Sequence, residues 1–212
     1  MSKNTEYFDQ MAKCFDSDPM KIQRAQEFAA SIRNEIEISP NFTGFEYGCG
    51  TGLVSFFLQP FMKKIVLADN SPGMLEELNK KIATNNISNM SALNLDLVCD
   101  AVSEELTGQF NVIFTLMTMH HILDIASVVK RFYSLLTQPG YLCIGDLEKE
   151  DGSFHGRDFV GHNGFDRKEL TDILSAAGFI NIRFQEFFQM KKSVGDGKVR
   201  VFPLFFMCVE KR

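Results

Sequence analysis

Phe42-Thr43-Gly44-Phe45-Glu46-Tyr47-Gly48-Cys49-Gly50-Thr51-Gly52, followed by Leu53-Val54-Ser55-Phe56-Phe57-Leu58, is the stretch that decides the fold. Phe42, Phe45 and Tyr47 read as a short strand, Gly48, Gly50 and Gly52 alternate through a tight turn, and Leu53 opens a helix. Glycine suits such a turn because it takes positive φ cheaply and lets a ligand approach the backbone. The helix behind it presents unpaired N–H groups at its first turn, ready for an acceptor. The spacing is G-x-G-x-G rather than the dinucleotide-binding G-x-G-x-x-G, and Glu46 stands two residues before the first glycine. A turn of this kind serves several nucleotide ligands, so the residues around it carry the rest of the reading.

Upstream, apolar residues recur at three- and four-residue spacing from Tyr7 to Ser39, through Phe8, Met11, Phe15, Ile22, Ala25, Ala29, Ile32 and Ile36. Asp18-Pro19 caps and starts a second helix within that span, and Ser39-Pro40 is expected to end it. Downstream, Lys64–Asp69 reads as a buried strand, and Ser71-Pro72 starts a helix to about Thr84 with Met74, Leu75, Leu78 and Ile82 on one face. Ser91–Leu95 and Phe110–Leu116 are further strands. A helix is expected from about Asp124 to Thr137, then a Pro139-Gly140 turn into a fifth strand, Tyr141–Leu147. Asp166–Glu169 has the form of a capping box for a helix to Ala177, stopped by Gly178. Two last strands, about Ile180–Met190 and Arg200–Glu210, flank the turn signal Gly195-Asp196-Gly197. Alternating strands and helices imply an α/β fold, mostly parallel and covered by helices on both faces, with a C-terminal antiparallel hairpin. Covered sheet positions face helices, so Phe184, Phe187, Phe188, Phe202, Phe205 and Phe206 in that hairpin are expected in the core.

The chain has 212 residues, 45% hydrophobic and 23% charged, as expected of one soluble domain. There is no apolar run long enough for a bilayer, and Met1–Glu6 is not a basic–apolar leader. A net charge of −5 argues against a nucleic-acid partner, which would need a basic surface. The five cysteines (Cys14, Cys49, Cys99, Cys143, Cys208) are scattered, without a C-x-x-C pair, so disulfide frameworks and zinc clusters are not expected and a cytoplasmic location is.

In an open α/β sheet a ligand sits outside the carboxyl ends of the strands. Glu46, Asp69, Asp96 and Thr115 fall at those ends. Asp69 lies about 20 residues beyond Gly48, the offset at which a carboxylate meets ribose hydroxyls in Rossmann-like folds. Taken together, Glu46-x-Gly48-x-Gly50-x-Gly52, Asp69, Asp96-Leu97, the apolar fourth strand and Pro139-Gly140 resemble the class I S-adenosylmethionine (SAM)-dependent methyltransferases, strongly over residues 40 to 147. The resemblance implies a Rossmann-like doubly wound sheet of seven strands in one domain. Residues 1–39 would form a helical lid, 40–147 the SAM-binding core, and 148–212 a substrate-side loop, helix and hairpin. It further implies SAM as cofactor, S-adenosylhomocysteine as product, and a cofactor site of Glu46, Gly48, Cys49, Gly50, Thr51, Gly52, Asp69, Asn70, Met74, Asp96, Leu97, Thr115 and Leu116. In this resemblance Glu46 orients the loop and the methionine end, Asp69 holds the ribose, and Asp96, Leu97, Asn70 and Met74 surround the adenine.

The chain departs from parts of the family's pattern. Asn111 stands where an acid is usual in the fourth strand. No Asn-Pro-Pro-Tyr-like run follows that strand, which counts against amino methylation of DNA bases or protein amides. No Pro-Cys nucleophile follows either, which counts against cytosine C5 chemistry. Paired acids for a catechol-type metal are missing there, so no metal is expected. His121, His155, His162 and Asp146 remain as candidates to act on an acceptor, because His titrates near neutral pH and needs only hydrogen-bond reach. The expected activity is in-line methyl transfer to a small molecule, with no nucleic-acid or membrane partner. The rivals are a non-catalytic SAM-binding module, an RNA or protein methyltransferase, and an NAD-dependent oxidoreductase, which needs the other glycine spacing.

Overall fold

The computed structural model describes residues 3–156, 159–195 and 197–212. Met1 and Ser2, Arg157 and Asp158 of the expected substrate-side loop, and Asp196 of the expected hairpin turn lie outside the described residues. Seven strands, β1 (Thr43–Tyr47), β2 (Lys64–Asp69), β3 (Met90–Asn94), β4 (Phe110–Leu116), β5 (Leu136–Leu147), β6 (Ile180–Ser193) and β7 (Val199–Lys211), form one sheet in the order β3-β2-β1-β4-β5-β7-β6. The first five run parallel, and β7 enters antiparallel between β5 and β6. Chain order reverses between β1 and β4, the switch point at which such sheets hold ligands.

Side chains along the strands alternate between two apolar layers. Phe45, Tyr47, Val66, Ala68, Ile144, Phe205 and Met207 belong to one, with α5 (Ile125–Leu135) and α6 (Arg167–Ala176) packed over them. Ile65, Leu67, Val112, Phe114, Cys143, Phe206 and Cys208 belong to the other, under α2 (Pro19–Glu35), α3 (Leu53–Leu58) and α4 (Pro72–Thr84). Both faces are covered, which is why the strands read as nearly continuous apolar runs. Side-chain caps set where four of the helices begin: Asp18 accepts from Met20, Ser71 from Met74, Asp124 from Ser127, and Asp166 from Lys168 and Glu169.

Several boundaries differ from expectation. The first helix, α1 (Lys3–Met11), passes into a 3₁₀ turn over Ala12–Ser17, so Phe15 lies on the turn. Helix α2 stops at Glu35, well before Pro40, because Ile36 is already extended while its N–H closes the last turn on Ile32. Helix α5 ends at Leu135, and Pro139-Gly140 lies inside β5. Leu136 pairs with Phe110, the chain bulges, and pairing resumes at Tyr141 opposite Val112. The aromatic hairpin is core only on its inner strand. Phe202, Phe205 and Phe206 of β7 are buried, whereas Phe184, Phe187 and Phe188 of β6 are half-buried because β6 is the sheet edge.

Candidate active site

The glycine turn leaves β1 at the switch point and is tied down on every side. Cys49 donates from its backbone N–H to Ala68, and Gly52 donates to Cys49. Gly48 has φ 66°, and a Cβ there would collide with the Thr118 side chain, so only glycine lets the loop cross so close to the end of β4. Gly50 donates to Asp69 Oδ2 at 2.7 Å, and Ser71 donates to Asp69 Oδ1 at 2.9 Å. Asp69 thus braces the loop as it leaves β2, and burial holds its carboxyl above the usual range. Asn70 donates to Asp96 Oδ2 at 3.1 Å, joining the ends of β2 and β3. Met74 and Leu97 are buried beside them, and the Leu97 N–H donates to the Tyr47 hydroxyl. The structure therefore brings Gly50, Asp69, Asn70, Met74, Asp96 and Leu97 together.

Glu46, Cys49 and Thr115 of the expected site are buried with their side chains inward. Glu46 is 3% exposed, and its carboxyl accepts from both the backbone N–H and the hydroxyl of Ser55 in α3. Burial raises its pKa to about 8 despite those bonds. Glu46 anchors the helix behind the glycine turn. The Cys49 thiol is buried against the Gly50 carbonyl. Thr115 is fully buried, with no partner for its hydroxyl, and Leu116 packs with Phe28 around Gly145. Met117, next along the chain, is held at φ 55°, a left-handed conformation costly for a side-chain-bearing residue.

The N-terminal segment lies over this constellation. Asp9 of α1 accepts from the Ser71 hydroxyl at 2.5 Å and the Gly73 N–H at 2.8 Å, at the start of α4. Asp16 accepts from the Thr51 hydroxyl at 2.5 Å and from Lys81 at 2.6 Å, while Lys81 also donates to the Thr51 carbonyl. A Cβ built on Gly50 finds room, with Phe15 and Met74 3.8 Å away. An adenosyl group fits this set. Asp69 retains lone pairs beyond its two backbone bonds for hydroxyls, and Asp96 suits an amino group.

At the ends of β4 and β5 a second cluster forms. His120 and Asp146 are both buried, and Nδ1 of His120 lies 2.6 Å from Asp146 Oδ1. Asp146 also accepts from the backbone N–H groups of His120 and Leu147, which marks it as the acceptor and Nδ1 as the donor. Asp146 is thus a positioning group that orients His120. The loop from Glu148 to Phe165 is closed at its base by bonds joining Leu147–Glu150 to Asn163–Phe165, and it carries His155 to the cluster. The ring centroids of His120, His121 and His155 lie 4.2 to 5.3 Å apart. Phe8 packs edge-on against His121, and Phe159 stacks on His155. Burial first, then the neighbouring His120, lowers His121 to about 3 and His155 to about 4, so both are neutral near pH 7. His162 is not brought in: its ring lies beside Phe165 and lines a separate cavity of 260 Å³ with Leu123, Asp124 and Ile173. Arg24 of α2, unanticipated because it reads as an ordinary polar helix position, is half-buried within electrostatic reach of Asp146. Its Nη1 donates to Met190 Sδ, its Nε has no partner among the described residues, and desolvation lowers its pKa to about 10.

Residues 45–142 match the family model described as a methyltransferase domain. The chain is 30% identical over 149 residues to an uncharacterized methyltransferase of Schizosaccharomyces pombe, covering 64% of this chain. Over the matched residues the chain is similar to the SAM-dependent methyltransferases, whose Rossmann-like fold it shares. S-adenosylmethionine is the cofactor of that family. The match spans about half, 52%, of the yeast relative's length. Among solved structures, a SAM-dependent methyltransferase from Aquifex aeolicus is similar, with TM-score 0.65 and 20% identity over 94% of this chain and 97% of that one. Another is Haemonchus contortus phosphoethanolamine N-methyltransferase 2, in complex with phosphomonomethylethanolamine and S-adenosylhomocysteine. Its TM-score is 0.68 at 14% identity, over 88% of this chain and 52% of that one. At these identities the two structures speak to the fold. No described helix is long and apolar enough to cross a membrane.

Proposed function

We propose that this chain transfers a methyl group from S-adenosylmethionine to a small-molecule acceptor. The observation that carries the reading is the convergence of Gly50, Asp69, Asn70 and Asp96 at the switch point, beneath a segment latched by Asp9 and Asp16. Bound there, the cofactor supplies an already activated methyl group and departs as S-adenosylhomocysteine. Asp69 accepts from the ribose hydroxyls, Asp96 accepts from the adenine amino group, and Leu97 and Met74 pack on the ring. Gly48, Cys49, Gly50, Thr51 and Gly52 shape the backbone cradle, and Glu46 holds it through Ser55. Residues 3–35 act as a lid that excludes water, and in-line alignment in a dry site supplies much of the barrier reduction.

A small acceptor is supported by the packing around the second cluster, where Phe8 and Phe159 lie edge-on against His121. The phosphorylated amine bound by the Haemonchus enzyme is of this size class. Arg24, half-buried within electrostatic reach of Asp146, suits an acceptor with an anionic group. His121 and His155 present neutral imidazoles toward that space, and Asp146 acts through His120. A cytoplasmic location is supported by the free thiols of Cys143 and Cys208, which face each other across β5 and β7 without bridging. The test is S-adenosylhomocysteine release with a panel of small hydroxyl, amine and thiol acceptors. Turnover in the parent and none in Asp69→Ala is expected. Turnover on RNA or protein alone would overturn the small-molecule reading.

A further inference from the structure

We propose that His120, His121 and His155 form a binding site for a divalent transition-metal ion, Zn2+ in the first instance. One potential ligand atom from each of the three side chains lies within 4.8 Å of the other two. They come from two places in the chain. His120 and His121 occupy a 3₁₀ turn directly after β4, and His155 is on the loop after β5. The loop is pinned to the turn, since the His162 N–H donates to the His120 carbonyl at 2.7 Å. Gly161 makes this approach possible, because a Cβ there would collide with that same carbonyl.

The donor atoms are unspent. Nδ1 of His121 and Nε2 of His155 are shielded from solvent and have no hydrogen-bond partner. Buried polar atoms are normally satisfied, and orphan nitrogens on rings whose ligand atoms lie within 4.8 Å of one another call for an ion or a water. His120 commits Nδ1 to Asp146, which leaves Nε2 as its ligand atom. A histidine whose second nitrogen donates to a buried carboxylate is the arrangement that fixes ring orientation and strengthens a metal-binding imidazole. Asp146 also supplies negative charge beside the ion, and Glu150 offsets Lys192, which lies near His155.

Imidazole donors select Zn, Cu, Fe or Ni over Mg and Ca. Two nitrogens on a tetrahedral Zn2+ lie about 3.3 Å apart, given Zn–N bonds of about 2.0 Å. The three ligand atoms, within 4.8 Å of one another, would close to that spacing on binding. Three protein ligands leave one position for a water, hydroxyl or thiol, whose pKa the ion lowers. That position is where an acceptor's oxygen or sulfur would lose its proton, which deepens the methyl-transfer reading. The ion site itself stands without it.

The test is titration of the metal-stripped full chain with Co2+, followed by its visible ligand-field bands, with Zn2+ displacement as the second readout. One Co2+ per chain with tetrahedral-type bands, abolished by Zn2+, is expected. Affinity should fall at least tenfold in His155→Ala and in His121→Ala, and persist in His162→Ala. Absence of saturable binding in the parent, or equal binding by His155→Ala, would overturn the proposal and leave a water as the partner of these nitrogens. SAM titrations on the same samples separate the two readings, because loss of the ion site leaves Asp69 and Asp96 intact.

Discussion

Glu46 carries a testable electrostatic signature. Its carboxyl is buried against Ser55 with a pKa near 8 in the folded protein, against an ordinary value of 4.5. Between those two values the unfolded chain has released a proton that the folded chain keeps, so stability falls as pH rises from about 4.5 to about 8. The slope from one such group is at most about 1.4 kcal/mol per pH unit. Chemical denaturation at pH 5 and pH 8.5 should show this loss in the parent and much less of it in Glu46→Gln, which keeps an acceptor for Ser55. Equal pH dependence in the two proteins would contradict the burial argument. At Gly48 the expectation is simpler. Gly48→Ala forces a side chain into positive φ and into Thr118, costing at least about 1 kcal/mol from the backbone alone. An unchanged urea midpoint would show that the turn tolerates more than the geometry allows. The glycines and Asp69 were legible from spacing, because chain chemistry near a tight turn is local. The inward aim of Glu46 and Thr115 was not, because strand-end residues alternate and the face each takes depends on which layer the helices fill.

At the scale of elements, the α1 segment is held by few contacts of high polarity. Asp9 takes two hydrogen bonds from the start of α4, and Asp16 takes one from Thr51 and an ion pair from Lys81. Removing Asp9 strands the Ser71 hydroxyl and the Gly73 N–H, at a cost of about 1–2 kcal/mol to docking of the segment. Asp9→Ala should therefore raise amide exchange across residues 3–17 by roughly 5- to 30-fold, while β4 exchanges as in the parent. Uniform acceleration through the sheet would mean that α1 is part of the global fold rather than a separable lid. Helix positions here followed from periodicity and caps, since Asp18, Ser71 and Asp166 announce their helices in sequence. The end of α2 and the start of β5 were missed because the first rests on a single backbone bond at Ile36 and the second on a bulge opposite Asn111.

Across the whole molecule, the sheet places two kinds of chemistry side by side along one edge. The ends of β1, β2 and β3 gather carboxylates and a glycine turn, and the ends of β4 and β5 gather histidines around Asp146. The first group was readable because each member follows its strand directly. The second was only half readable: His120-His121, His155 and Asp146 stood out as residue types, but the pairing of His120 with Asp146 and the place of Arg24 emerge only when the loop and α2 close over β5. The central claim is that the carboxylate–glycine group holds S-adenosylmethionine. Calorimetric titration of the full chain with S-adenosylmethionine and S-adenosylhomocysteine tests it most directly. Saturable one-to-one binding of both, weakened at least tenfold in Asp69→Ala, is the predicted result. Failure of the folded parent to bind either, or undiminished binding by Asp69→Ala, would contradict the account.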